Sequence, residues 1–197
     1  MNYPLSLSFK IIALSPQATV RDADGNIICH MKQKIFRLRE KVEVYADVKK
    51  TELVATIQAN KILDWSARYT FRDGEGNKIG SVGRQGMRSI WKAHYDVFNP
   101  GDNVPDFNIR EENPFAKVID SFVGQIPIIG LCSAFFFHPS YLASRSANEV
   151  ASMRLKKMPA FLEGKFEITK EGDLSQHEEM ALILSFIMLN LLERRRG

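Results

Sequence analysis

Apolar and polar residues alternate in short runs from the start of the chain to about Val97, and turn-forming residues stop each run. Alternation with period two puts successive side chains on opposite faces of a sheet, so it predicts half-buried antiparallel strands. The first predicted hairpin joins Ala18–Asp22 to Asn26–Gln33 through Asp24-Gly25-Asn26, residues that tolerate positive φ. Val42–Asp47 and Leu53–Asn60 follow, with Val42, Val44 and Ala46 on one face and Leu53, Ala55, Ile57 and Ala59 on another. A second hairpin carries Trp65, Ala67, Tyr69 and Phe71 on one face, turns at Asp73-Gly74-Glu75-Gly76-Asn77 and returns along Lys78–Val82. After a link at Arg84–Arg88, Ser89–Val97 alternates again until Asn99-Pro100-Gly101 stops it. With Val150–Met158 and Phe161–Thr169 the total comes to about a dozen strands. Their irregular spacing suits a meander closing into a barrel or sandwich better than a periodic solenoid.

Two segments break this pattern. Asn113–Ser146 opens with a short predicted helix, Pro114–Phe122, and continues into Gly124–Leu142, which carries no charge. Gln125, Pro127, Gly130, His138 and Pro139 interrupt that run, so a buried helix-loop-strand segment is expected there in preference to a membrane span. At the other break, Ser175 and Glu178 have the S-x-x-E spacing of a capping box, which starts a helix over 175–196. From Met180 to Leu192 only Ser185 and Asn190 are polar. A helix without a polar stripe has to be enclosed. At 1.5 Å per residue its apolar part is roughly 20 Å long, enough to thread a small barrel. Arg194, Arg195 and Arg196 then stand at the negative end of the helix dipole and mark the exit into water. Residues 1–197 read as one domain on this pattern, with an apolar insert at 113–146.

Charge narrows the partners only mildly. Twenty-seven basic against twenty-three acidic residues give a net charge of +4, which favours anionic partners. No zinc-finger, basic-zipper or RNA-recognition pattern appears, so nucleic acid is disfavoured. Cys29 and Cys132 lack CxxC spacing, as in a reducing compartment, and Lys10 and the serines interrupt any secretory-type apolar run; a cytoplasmic location is expected. His30, His94, His138 and His177 are scattered without metal-ligand spacing, and there is no nucleophile elbow, P-loop or dinucleotide fingerprint. The expectation is no catalytic residue, no metal and no cofactor.

The candidate chemistry lies in basic clusters. Lys32 and Lys34 share a strand face, and Arg37, Arg39 and Lys41 follow. Arg154 shares a face with Lys156, while Lys157 points oppositely. Paired cations of this kind suit a phosphorylated head group through charge-assisted hydrogen bonds. They equally suit solvated strand edges. Arg84 and Arg88 sit in Gly83-Arg84-Gln85-Gly86-Met87-Arg88, a glycine-flexed connection whose amides suit an anion. Phe135, Phe136 and Phe137 cannot all face one way in a strand. They need a second apolar environment, either an interaction surface or a cap buried on both sides.

The hairpin Arg21-Asp22-Ala23-Asp24-Gly25-Asn26, the stretch Tyr69–Gly80 leading to Arg84 and Trp91, and the closing apolar helix together resemble the tubby C-terminal-like superfamily, in its LURP-one-related and phospholipid-scramblase-like branch. The resemblance covers nearly the whole chain. It implies a mostly β fold, a closed antiparallel barrel of about twelve strands around a central C-terminal helix. Members include phosphoinositide-binding proteins linked to transcription and proteins associated with lipid scrambling. No member's ligand residue is carried over, and Gly124–Leu142 does not align with them. The function expected is a noncatalytic binding module for anionic phospholipid or a membrane surface. The alternatives are a protein-interaction or scaffold domain that oligomerises through 124–142, and a small-molecule-binding or enzymatic barrel, which would need a cavity.

Overall fold

The computed structural model describes residues 1–10, 16–32, 42–60, 68–84, 94–112, 139–160 and 163–193. Twelve strands lie among them: β1 (Leu5–Lys10), β2 (Gln17–Arg21), β3 (Ile27–Lys32), β4 (Val42–Tyr45), β5 (Leu53–Ala59) and β6 (Arg68–Asp73) come first. They continue with β7 (Lys78–Arg84), β8 (His94–Phe98), β9 (Phe107–Glu111), β10 (Ser140–Arg145), β11 (Ala151–Met158) and β12 (Glu163–Lys170), and one helix, α1 (Gln176–Glu193), ends the chain of elements. Every strand pairs antiparallel with its sequence neighbours, and β1 closes the barrel by pairing with β12, Leu5 opposite Ile168 and Leu7 opposite Phe166. Closure leaves no edge strand to protect.

The inner face is the apolar half of each alternation. Leu7, Phe9, Val20, Met31, Val44, Ile57, Phe71, Ile109 and Leu155 are buried and surround α1. Residues 181–191 of the helix are all buried. Its two polar residues turn back on the helix itself: Ser185 Oγ donates to the Ala181 carbonyl at 2.7 Å and Asn190 Nδ2 to the Phe186 carbonyl at 2.8 Å. Satisfied in this way, they are tolerated in an apolar surround. The helix begins at the predicted capping box, with the Glu178 amide donating to Ser175 Oγ at 3.3 Å and the Ser175 amide to Glu178 Oε2 at 2.8 Å.

Three successive hairpins share one turn. Asp22, Asp47 and Asp73 each accept, through a carboxylate oxygen, the amide four residues on, from Asn26, Thr51 and Asn77 at 2.9, 3.0 and 2.8 Å. The residue before that amide, Gly25, Lys50 or Gly76, has φ between 64° and 92°. Glycine is the usual occupant of that conformation; lysine at the middle turn hides the kinship of the three loops.

Several expectations change. β1 and β9 were not among the individually predicted strands. β10 takes Ser140–Arg145 into the wall, with Tyr141 and Ala143 buried, so the end of the 113–146 segment is barrel and not insert. Arg84 is the last residue of β7 and not part of a flexible link. The described helix ends at Glu193, and Arg194–Arg196 lie outside the described residues.

Candidate functional site

Because neighbouring strands are antiparallel, even-numbered strands finish at one end of the barrel and odd-numbered strands at the other. α1 follows β12, so it starts at the even end and finishes at the odd one. The sequences that follow the two sets of strand ends differ sharply in charge. The six connections at the end where α1 starts, the last running from β12 into the helix, hold ten Asp or Glu and two Lys. The six segments joining strands at the other end, with the residues after Glu193, hold eleven Lys or Arg and four Asp or Glu. At the acidic end Asp22, Asp47 and Asp73 hold their own turns. Desolvation opposes ionisation of Asp22 and Asp73, but hydrogen bonds from Asn26 and Asn77 and from nearby amides hold both below the usual carboxylate range.

Of the candidate cations, Lys32 ends β3 and is exposed at the basic end, opposite Gln17 in register. Lys156 is exposed on the outer face of β11, opposite Ser140 and Glu167. The two are four strands apart around the wall, roughly 19 Å at the usual strand spacing, so they form no single pocket. Lys34, Arg88, Phe135, Phe136 and Phe137 lie outside the described residues; each belongs to a segment that joins strand ends at the basic end. Arg154 does share the outer face with Lys156, but its guanidinium is engaged by Glu112 and Glu171.

Arg84 stands opposite Tyr95 in register, and Tyr95 is buried in the core, which places Arg84 on the inner face at the barrel mouth, with a side chain only 11% exposed. Its Nη2 lies 4.0 Å from Glu193 Oε1, which also accepts from Tyr95 OH at 2.8 Å. An acid at a helix C-terminus opposes the dipole; here a guanidinium and a phenol from the wall compensate. Glu111, buried, faces Tyr141 in the same mouth. Burial first, then the charge of Glu193, pushes the Tyr95 hydroxyl well above its ordinary value, and burial with Glu111 does the same to Tyr141. Both phenols therefore stay protonated, and Tyr95 donates to Glu193. Sequence reading singled out Arg84 but not its partners, because the members of the group come from β7, β8, β9, β10 and α1.

His30 is buried on the outer side of β3, its Nδ1 2.9 Å from Thr19 Oγ1. Burial lowers its pKa below 6.5, and the charges of Lys50 and Lys10 lower it further. The unfolded chain then binds the proton more readily than the folded one, so this contribution is intact above pH 6.5 and is lost as pH falls below it. Urea unfolding at pH 7.5 and 5.5 should show a loss of at most roughly 1.4 kcal/mol that His30→Gln abolishes. An equal loss in the variant would remove His30 as the cause.

Burial pushes the Cys29 thiol up to about 12, which makes it a poor nucleophile. Among the described residues no three His, Cys, Asp or Glu side chains are grouped to hold a metal ion. A cleft of about 270 Å³ between Val54, Asp73, Ile79, Gln176, His177 and Met180 sits where α1 begins. It is below the usual size of a small-molecule site. No helix among the described residues is long and apolar enough to cross a membrane.

A family model described as LURP-one-related matches residues 27–189. A crystal structure of an Arabidopsis thaliana protein superposes with a TM-score of 0.56 at 14% identity, covering 97% of this chain and 92% of that one. At that identity the likeness concerns the fold. No curated protein matches the chain.

Proposed function

The chain belongs to the LURP-one-related family, and on that premise we propose that it is a noncatalytic binding module that engages anionic phospholipid at a membrane surface with the end of the barrel where α1 finishes. The contrast in charge between the sequences that follow the odd-numbered and the even-numbered strands supports this reading. A basic end facing anionic head groups, with the acidic turns held farthest away, is the orientation that minimises electrostatic energy, each basic residue near such a surface contributing about 1 kcal/mol. The segments at that end also include both tryptophans of the chain, Trp65 and Trp91, and the Phe135–Phe137 run. Aromatic side chains beside cations are the composition of an interfacial contact. A helix that fills the barrel axis supports binding by an outer surface over catalysis in a cavity.

The test is co-sedimentation with phosphatidylcholine vesicles, with and without phosphatidylserine, at low and physiological salt. Binding should require the anionic lipid and weaken with salt. A variant combining Lys32→Glu, Lys34→Glu and Arg88→Glu should lose about a hundredfold or more in partition, since three charges reverse. Equal binding to neutral vesicles, or an unaffected triple variant, would defeat the electrostatic reading. No binding together with concentration-dependent dimerisation would favour the scaffold alternative.

A further inference from the structure

Glu112 and Ser140 close the base of the 113–139 segment: the Glu112 amide donates to the Ser140 carbonyl at 2.8 Å, and Ser140 Oγ donates to Glu112 Oε2. Arg154 grips the same carboxylate from the neighbouring strand. Its Nε is 3.1 Å from Glu112 Oε2 and 3.3 Å from Oε1, and its Nη2 is 3.2 Å from Oε1. With Nη1 it holds Glu171 Oε1 at 2.7 Å, an oxygen that also accepts from Thr169 Oγ1 at 2.8 Å. The outer wall thus ties the end of β9 and the start of β10 to β11 and to the exit of β12. Two carboxylates on one guanidinium leave the cluster with net negative charge, which repels an anionic head group. The geometry also spends the planar fork of the arginine on carboxylates in bidentate fashion.

We infer that Arg154 is a positioning residue, which ties together Glu112 and Ser140, where β9 ends and β10 begins, and Glu171 beyond β12, and that it makes no contact with lipid. Only the vesicle arm of its test rests on the phospholipid reading. Breaking the clamp from either side should loosen the base. Amide hydrogen exchange at Glu112 should therefore rise about tenfold in Arg154→Gln and in Glu112→Gln, and by less in Arg154→Lys, which keeps the charge and one contact. Should Arg154→Gln fail to fold, Glu112→Gln still carries the test.

On phosphatidylserine vesicles the clamp and a direct lipid contact predict opposite signs for Glu112→Gln. Removing an acid strengthens binding if attraction to Arg154 is what counts, and weakens it if Glu112 is needed to hold the strand ends at Glu112 and Ser140 together. The expected result is that Glu112→Gln and Arg154→Gln both weaken binding several-fold, with no change in salt dependence. The inference is overturned if Glu112→Gln binds more tightly while Arg154→Gln binds less, if neither variant alters binding, or if exchange at Glu112 is unchanged in both. If the wild type ignores vesicles, the phospholipid reading fails by itself, and exchange alone decides the clamp.

Discussion

Leu184→Asp is expected to yield no cooperatively folded protein. Leu184 is 0% exposed near the middle of α1, with the barrel wall on every side. A carboxylate there finds no Lys or Arg among the described buried residues and would either ionise at a cost of several kcal/mol or stay protonated with unmet hydrogen bonds. A domain of this size has in all about 5–15 kcal/mol of stability to lose. Leu184→Ala, which leaves a cavity but no charge, should cost about 2–5 kcal/mol and still fold. Circular dichroism with urea titration reads both variants. A soluble Leu184→Asp protein with a normal cooperative transition would mean that α1 does not occupy the barrel centre.

Gly80→Val should have the next largest effect, roughly 3 kcal/mol or more. The residue has φ +155° on the inner face of β7, and a Cβ there would stand 3.2 Å from the Phe98 carbonyl oxygen and 3.3 Å from Ala181 Cβ. The lack of a side chain lets the start of α1 approach the wall. Gly25 is the control: it has φ +85° with nothing within 4 Å of an added Cβ, so Gly25→Ala should cost only the left-handed backbone preference, about 1–2 kcal/mol. Equal losses at the two glycines would show that backbone conformation, and not the approach of the helix, sets the requirement at Gly80.

The parts of this fold that were legible in the sequence are those whose signals are local. The turns at Asp22–Asn26 and Asp73–Asn77 announce their hairpins because an aspartate, a glycine and an asparagine in fixed order satisfy one another's hydrogen bonds. The capping box at Ser175 and Glu178 announces α1 in the same way. β1 was readable in principle, since Leu5, Leu7 and Phe9 alternate with Ser6, Ser8 and Lys10. β9 was harder, because Glu111 puts an acid at an inward position where the pattern asks for an apolar residue. The candidate site was the least legible. The bond between Glu193 and Tyr95 spans 98 residues and that between Arg154 and Glu112 spans 42, so each depends on strand register that no local motif encodes. The charge contrast between the two sets of connecting sequences likewise emerges only when they are sorted by strand parity.

The position of α1 after all twelve strands constrains how the protein is made. During synthesis the ribosome releases the whole wall before the last turn of the helix that fills it, and β1 has to wait for β12 before the barrel can close. Until then the inward rows of leucine, isoleucine and phenylalanine have nothing to pack on. Long-range closure of this kind is slow. Apolar rows that wait for a late-arriving partner are the kind of surface that aggregates before folding is complete, so the order of elements makes the helix the step that ends that exposure.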